Sequence, residues 1–252
     1  MDLLSVAGFT RAMFTRTNTP RTLGSNRFSL MASVPMTTVL VLGALSLLPL
    51  LFMTATSFVK ISVVFSILRN ALGTGQVPSG IVVAALSAIL SLYVMAPVGS
   101  KMLEAAAPAA ASVNWNAPLG PGSFEALQRT LKQTVEPLRQ WLARHANPKE
   151  TSLFLDLARQ ARPMEQRASL TQADLLVVFP AFLITELSEA FLIGFLIFLP
   201  FLIIDLVIAN IALALGMQTL SPTTISLPFK LLLFVAVDGW YLLSRALLAG
   251  YA

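Results

Sequence analysis

Long uncharged apolar runs dominate the chain and are interrupted by a single polar stretch. No charged residue falls between Phe28 and Val59, and after Lys60 and Arg69 a second uncharged run extends from Asn70 to Ser100. The signals between them are those of a tight connection: Leu72-Gly73-Thr74-Gly75 gives a helix stop, and Val77-Pro78-Ser79-Gly80 a turn and restart. The pattern predicts a hairpin of two long helices, the first running from Thr37 to Leu72. At 1.5 Å per residue that helix would extend about 54 Å, against a hydrocarbon core of about 30 Å. It must therefore kink, at Pro49, or project beyond the lipid.

Residues 101–174 have a different character. Ala105–Gly122 reads as a loop of Ala, Pro, Gly and Asn. From Ser123 onward Phe124, Leu127, Leu131, Val135, Leu138 and Leu142 recur at helical spacing, which predicts an amphipathic helix kinked at Pro137. Asn147-Pro148 breaks it, and a short helix from Thr151 to Ala161 follows. Thr171-Gln-Ala-Asp174 resembles a capping box with Asp in place of Glu or Gln. It opens the apolar stretch Leu175–Leu215, whose length as one helix would be about 60 Å. That stretch contains Pro180, Pro200, Glu186, Glu189 and Asp205. A carboxylate facing lipid at the bilayer centre costs roughly 2.5–3.5 kcal/mol or more, so the stretch is either two helical pieces or one helix buried against other subunits. Gly216 ends it, Met217–Thr224 is a short loop, and Ile225–Tyr251 is the last helix.

Composition agrees with a membrane protein. Of 252 residues, 56% are hydrophobic and 12% charged, where a soluble domain carries about 25% charged residues; the mean hydropathy is +0.77. There is no cysteine, which excludes disulfides and thiolate sites, and the one histidine, His145, argues against histidine-based zinc or haem ligation. The net charge of +5 is divided between an arginine-rich start (Arg11, Arg16, Arg21, Arg27) and the polar stretch, so no basic face for nucleic acid forms. His145, beside Arg144, reads as a solvated residue.

These patterns divide the chain into four parts: an N-terminal extension, 1–36, read as disordered or as the product of a start codon placed too early; a first membrane-associated helical hairpin, 37–104; a polar helical insert, 105–174; and a second membrane-associated helical region, 175–252. Lys60, Arg69 and Lys230 lie near the hairpin tips. By the positive-inside rule the tips face the cytoplasm and the insert faces outward.

Two stretches carry a family signature: PAFLITELSEAFLIGF (Pro180–Phe195) and PFKLLLFVAVDGW (Pro228–Trp240), with FLIIDLVIANIALALGM (Phe201–Met217) between them. Upstream, TSFVKISVVFSILRNALGTGQVP (Thr56–Pro78) and LSLYVMAPV (Leu90–Val98) match as well. Together they closely resemble the FliP/YscR/HrcR family, core export-apparatus subunits of bacterial flagellar and virulence type III secretion systems. The resemblance covers residues 37–104 and 171–252, and the lack of a conventional signal peptide points to the virulence branch. It implies a multi-pass inner-membrane subunit standing partly on the periplasmic side of the membrane. It also implies a homo-oligomer, a pentamer in relatives, joined with two other small membrane subunits in a helical cone that passes unfolded secreted proteins.

Candidate functional residues fall into two groups. Glu186 and Glu189 are three apart and share one helix face. Together with Asp205 and Asp238, and with Lys60, Arg69, Lys230 and Arg245 as the basic members, they read either as ion pairs between helices or subunits or, for Glu186, Glu189 and Asp205, as an ion path. Asp238 and Arg245, seven apart, lie on one face of the last helix. Gly239 permits close helix approach, and Phe191, Phe195 and Phe198 read as packing residues. The second group is Met217-Gln218-Thr219-Leu220, in the loop where relatives often carry consecutive methionines. There Met217, Gln218 and Leu220 would form a pore gate closing by dewetting; the alternative is a plain helix–helix turn. No G-x-x-x-x-G-K-[ST], G-x-S-x-G or H-E-x-x-H motif is present. The expectation is a non-enzymatic, all-α membrane protein without cofactor, and its rival is a stand-alone secondary transporter using the intramembrane carboxylates.

Overall fold

The computed structural model describes residues 42–43, 46–74, 78–110, 121–216 and 221–251. The chain divides into two compact units, 1–46 and 47–252. In the first, the Ser46 hydroxyl donates to the Gly43 carbonyl at 2.7 Å. All that follows belongs to the second, whose regular elements among the described residues are all helices.

Helix α1 (Leu48–Thr54) starts with Pro49 in its first turn, where proline costs no hydrogen bond. The expected kink at Pro49 is therefore absent, and the break comes at Ala55–Ser57, before α2 (Phe58–Leu72). Hydroxyl groups at the break take up backbone groups: Thr54 donates to the Leu50 carbonyl at 2.8 Å and Thr56 to that of Phe52 at 2.6 Å, and such local bonds compete with the helix ladder. The break is then tied to Ser91, in the helix that follows α2, by a buried chain of hydroxyls, Ser57 to Ser91 at 3.1 Å and Ser91 to Thr56 at 3.1 Å. Gly73 ends α2 with φ of 73°, a left-handed cap that glycine adopts without a Cβ clash.

Helix α3 (Gly80–Ala110) runs on through Pro97 and Pro108, so the first residues of the loop expected from Ala105, as far as Ala110, are helical. Its last residues, Ala105–Ala107, Ala109 and Ala110, are the best helix formers and prolong it. Helix α4 (Pro121–His145) accommodates Pro137 in its interior. Asn147 caps α5 (Pro148–Gln160), its side chain accepting from the Lys149 N–H at 2.9 Å. A single turn, α6 (Met164–Arg167), was not legible in the pattern.

Helix α7 (Leu175–Ala214) is one uninterrupted element of 40 residues through both Pro180 and Pro200, about 60 Å long. Asp174 is its N-cap, and one half of the expected capping box is present: the Asp174 carboxylate accepts from the Thr171 N–H at 2.8 Å. The expected last helix is two. Helices α8 (Pro222–Ala236) and α9 (Gly239–Ala249) meet at a 60° bend. At the bend Asp238 adopts φ 52°, ψ 51°, a left-handed conformation that Asp tolerates better than most residues. The bend lies before the helix that carries both Asp238 and Arg245: Asp238 is the N-cap of α9, and its carbonyl accepts from the Leu242 N–H at 3.1 Å. Helices α3 and α7 are long and apolar enough to cross a membrane, and the bent α8–α9 pair passes the same test jointly.

The core forms where α2 meets α7, α8 and α9. Ile61, Val64, Phe65, Leu68 and Leu72 recur every three or four residues along α2 and are fully buried against Ala190, Phe201, Phe234 and Leu247. A second cluster, Leu142 with Val178, Ala181 and Phe182, seats α4 on the first half of α7. Ile67 of α2 packs directly onto Gly194 of α7, where an added Cβ would lie 2.3 Å from Cδ1 of Ile67. Small residues at such a crossing allow membrane helices to pack tightly. We expect Gly194→Val to destabilise the fold by about 1–3 kcal/mol through overpacking, and Ile67→Ala in the same chain to restore part of the loss, as read by thermal unfolding in detergent.

Candidate functional site

Two charge clusters sit among the apolar helices. In the first, Lys60 of α2 points at α7. Its Nζ lies 3.1 Å from Glu186 Oε1 and 2.6 Å from Glu189 Oε2. Lys60 and Glu186 are 4% and 1% exposed, whereas half of the Glu189 side chain faces outward. The remaining oxygen of Glu186 accepts from the Tyr251 hydroxyl, and the ring of Tyr251 lies under the Lys60 ammonium, 4.2 Å from Nζ to centroid. Lys60 Nζ, both Glu186 oxygens and the Tyr251 hydroxyl therefore each have a partner, as burial in a low-dielectric environment requires. The helical spacing of Glu186 and Glu189 lets one ammonium meet both carboxylates.

Aromatic rings surround the cluster. Trp141 of α4 stacks on Tyr251 at 5.9 Å and meets Phe182 of α7 at 5.1 Å. His145, one turn beyond Trp141, lies 4.5 Å from Trp141 and 5.5 Å from Tyr251, with Nδ1 2.8 Å from the Trp141 carbonyl. The reading of His145 as a solvated residue is thus corrected: it is half-buried in an aromatic setting. Burial first, then Lys60 and Arg144, lowers its pKa below the ordinary value.

The second cluster joins α7, α8 and the end of α2. Lys230 Nζ lies 2.7 Å from Asp205 Oδ2 and donates to the Ala71 carbonyl at 3.0 Å. Ala71 is in the last turn of α2, so Lys230 also supplies a positive charge at that helix's C-terminus, where the macrodipole favours it. Ser226, one turn before Lys230, donates to the other Asp205 oxygen at 2.5 Å.

The other expected charges are placed differently. Arg69 is partly buried in the last turn of α2, beside the start of α3 at Gly80, and its Nε is buried without a hydrogen-bond partner among the described residues. Asp238 and Arg245 are exposed and in no ion pair among the described residues. Gly239 does permit close approach, but to its own segment: an added Cβ would lie 2.2 Å from the Phe234 ring. Phe198 packs on the core, whereas Phe191 and Phe195 are 62% and 60% exposed in the single chain. Met217, Gln218 and Leu220 lie outside the described residues. Tyr251, Trp141 and Ser226 were not singled out from the sequence. The i, i+4 spacings Trp141–His145 and Ser226–Lys230 are the only trace of their arrangement.

Outside the apolar helices, Arg139 of α4 donates to Glu136 through Nε at 2.7 Å and to the Ala173 carbonyl at 2.7 Å, anchoring α4 to the start of α7. The Arg139 hydrogen bonds, with Gln140, hold the Glu136 carboxyl at about 2, below its usual 4.5. A depressed carboxylate stabilises the fold above its unfolded value and loses that contribution as pH falls through the folded one. The Glu136 contribution is therefore full above about 4.5 and fades toward pH 2, and Glu136→Gln should remove it at neutral pH, as a lower thermal midpoint. For the first cluster, Lys60→Met strands a buried carboxylate and should cost about 3–5 kcal/mol. Adding Glu186→Gln should recover part of that cost, giving a non-additive cycle in denaturant titrations.

Known proteins are similar to this chain along most of its length. The model of the FliP family matches residues 41–247. The Yop proteins translocation protein R of Yersinia pestis is 46% identical over 213 residues, 84% of this chain and 94% of that protein. The hypersensitivity response secretion protein HrcR of Ralstonia nicotianae is 43% identical over 208 residues, 82% and 93% of the two chains. The virulence protein YscR of Salmonella typhimurium is 40% identical over 218 residues, 86% and 97%. Residues 41–247 include both charge clusters apart from Tyr251, and with relatives matched along nearly their whole length, the chain belongs to the FliP family.

Proposed function

We propose that this chain is a core pore-forming subunit of the type III protein-secretion export gate in the bacterial inner membrane. It is a structural component of a secretion apparatus rather than an enzyme, as its family indicates. Its copies stand side by side with the two other small membrane subunits of the apparatus, and unfolded secreted proteins pass along their common axis. Residues 37–104 and 175–252 are the membrane-associated regions. Residues 105–174 face the periplasm. Met217, Gln218 and Leu220 from each copy close the passage at a narrow ring.

One observation carries this reading. Helix α7 turns its carboxylates toward lysines of its own chain and presents apolar side chains outward along much of its 40 residues. Leu192, Phe195, Leu196, Ile203 and Leu206 are all more than half exposed. An apolar cavity of about 520 Å³ beside it, between Leu68, Ile197, Phe201, Leu233 and Leu243, adds to the uncovered surface. A helix about 60 Å long exceeds a bilayer core of about 30 Å, so lipid alone cannot cover it and neighbouring protein must. Similarity to a Yop translocation protein and to a hypersensitivity response secretion protein supports secreted proteins as the cargo class.

Native mass measurement of the detergent-extracted complex tests the assembly. A homo-oligomer, of five copies by family likeness, is expected. A stable monomer that alone drives ion-coupled solute uptake in vesicles would overturn the reading in favour of a transporter. The gate makes a separate prediction. Met217→Asp should wet a closing ring and raise the ion leak of reconstituted complexes at least several-fold, measured as conductance across a planar bilayer. An unchanged leak would remove Met217 from the constriction.

A further inference from the structure

His145 ends α4 where the polar insert meets the cluster of Lys60, Glu186 and Glu189, and the assembly described above makes no use of it. Its Nδ1 faces the Trp141 carbonyl at 2.8 Å. A carbonyl only accepts, so Nδ1 carries the hydrogen and Nε2 is the position where a further proton adds. On one side of His145 lies the Tyr251 ring at 5.5 Å, and the same ring holds the Lys60 ammonium at 4.2 Å. A single aromatic ring thus connects the imidazole with a buried cation. The charged and titratable groups around it are Lys60 from α2, Glu186 and Glu189 from α7, Tyr251 beyond α9, and Arg144 on α4 itself. Glu186 is already held by Lys60 and Tyr251. A proton on His145 would add a third cation to a setting where only Glu189, half of it outside, could answer it.

We propose that this junction is a proton-operated clasp: neutral His145 holds the end of α4 against Tyr251 and the charge cluster, and its protonation releases that end. Burial, reinforced by Lys60 and Arg144, favours the neutral ring; the Trp141 carbonyl and Glu189 offset this in part. A histidine whose folded pKa is lowered stabilises the closed form fully above its unfolded value, about 6.5, and that contribution is lost as pH falls below it. What loosens is the outer layer of contacts, the Trp141–Tyr251 stack and the Asn147 N–H bond to the Thr185 hydroxyl at 2.9 Å. The Leu142–Val178–Phe182 cluster continues to hold α4 on α7, so the change is local. The clasp lies within one chain and does not depend on the gate reading; it would give the insert a response to the acidity of the compartment it faces.

The test uses the full chain in detergent micelles. Trp115→Phe and Trp240→Phe leave Trp141 as the single indole of the three. Its emission is expected to move to longer wavelength between pH 8 and pH 5, with a midpoint below about 6.5, and to stay constant in His145→Phe and His145→Gln chains carrying the same background. In parallel, the thermal midpoint of the unmodified protein should fall between pH 8 and pH 5.5, and that of His145→Phe should not. No movement of the Trp141 emission over this range overturns the clasp. So does a movement that persists in both His145 variants and vanishes in Glu189→Gln, which would assign the titration to the carboxylate.

Discussion

Burying a lysine among apolar helices constrains the remainder of this structure. An ammonium at the Lys60 position, 4% exposed, is tolerable only if carboxylates reach it in the same dry setting. Those carboxylates are on α7, 126 and 129 positions later in the sequence (186 − 60 and 189 − 60). Their pairing therefore fixes how α2 and α7 face one another, and the apolar stripe Ile61, Val64, Phe65 and Leu68 packs in the register so defined. The Lys230–Asp205 pair does the same between α8 and α7 and, through the Ala71 carbonyl, ties both to the end of α2. Each pair carries directional information that apolar side chains in lipid lack, since lipid tails are as apolar as the core and give helices no reason to choose one face over another.

Much of the architecture could be read from the sequence because it is written in local signals. Gly73, Asn147-Pro148 and Gly216 end helices for reasons contained within a few residues, and the apolar runs announced helices α3 and α7. Other features depend on competition that pattern alone does not resolve. The carboxylates of the Leu175–Leu215 stretch left open two helical pieces or one buried helix, and α7 is one helix through Pro180 and Pro200; Pro49 reads as a kink, whereas the helix begins beside it. The break at Val237–Asp238 does have a local signal, the Asp238-Gly239 dipeptide that marks turns, but the apolar residues on either side of it outweigh that signal in the reading of one long helix.

The candidate site was legible in its charged members and not in its neutral ones. Glu186, Glu189, Asp205, Lys60 and Lys230 stand out because charge in an apolar run is costly and therefore rare. Tyr251 and Trp141 do not stand out, since aromatic residues are ordinary in such helices; their roles arise only when α4, α7 and the end of the chain converge. Asp238 and Arg245 met the same criterion as the lysines, yet both lie exposed on α9 and its cap, away from the two clusters. Rarity of a charge marks a residue as constrained without saying what satisfies it.

The bend between α8 and α9 also bears on how rigid the molecule is. Its angle is written into the backbone torsions of Asp238, and the vacant side-chain position of Gly239 is filled by the Phe234 ring. To straighten, the corner would have to take Asp238 out of its torsional well and expel that ring in one movement. It should behave as a bracket rather than a hinge, so that a push on α9 is passed to α8, and from there to Lys230 and the end of α2, without being absorbed on the way.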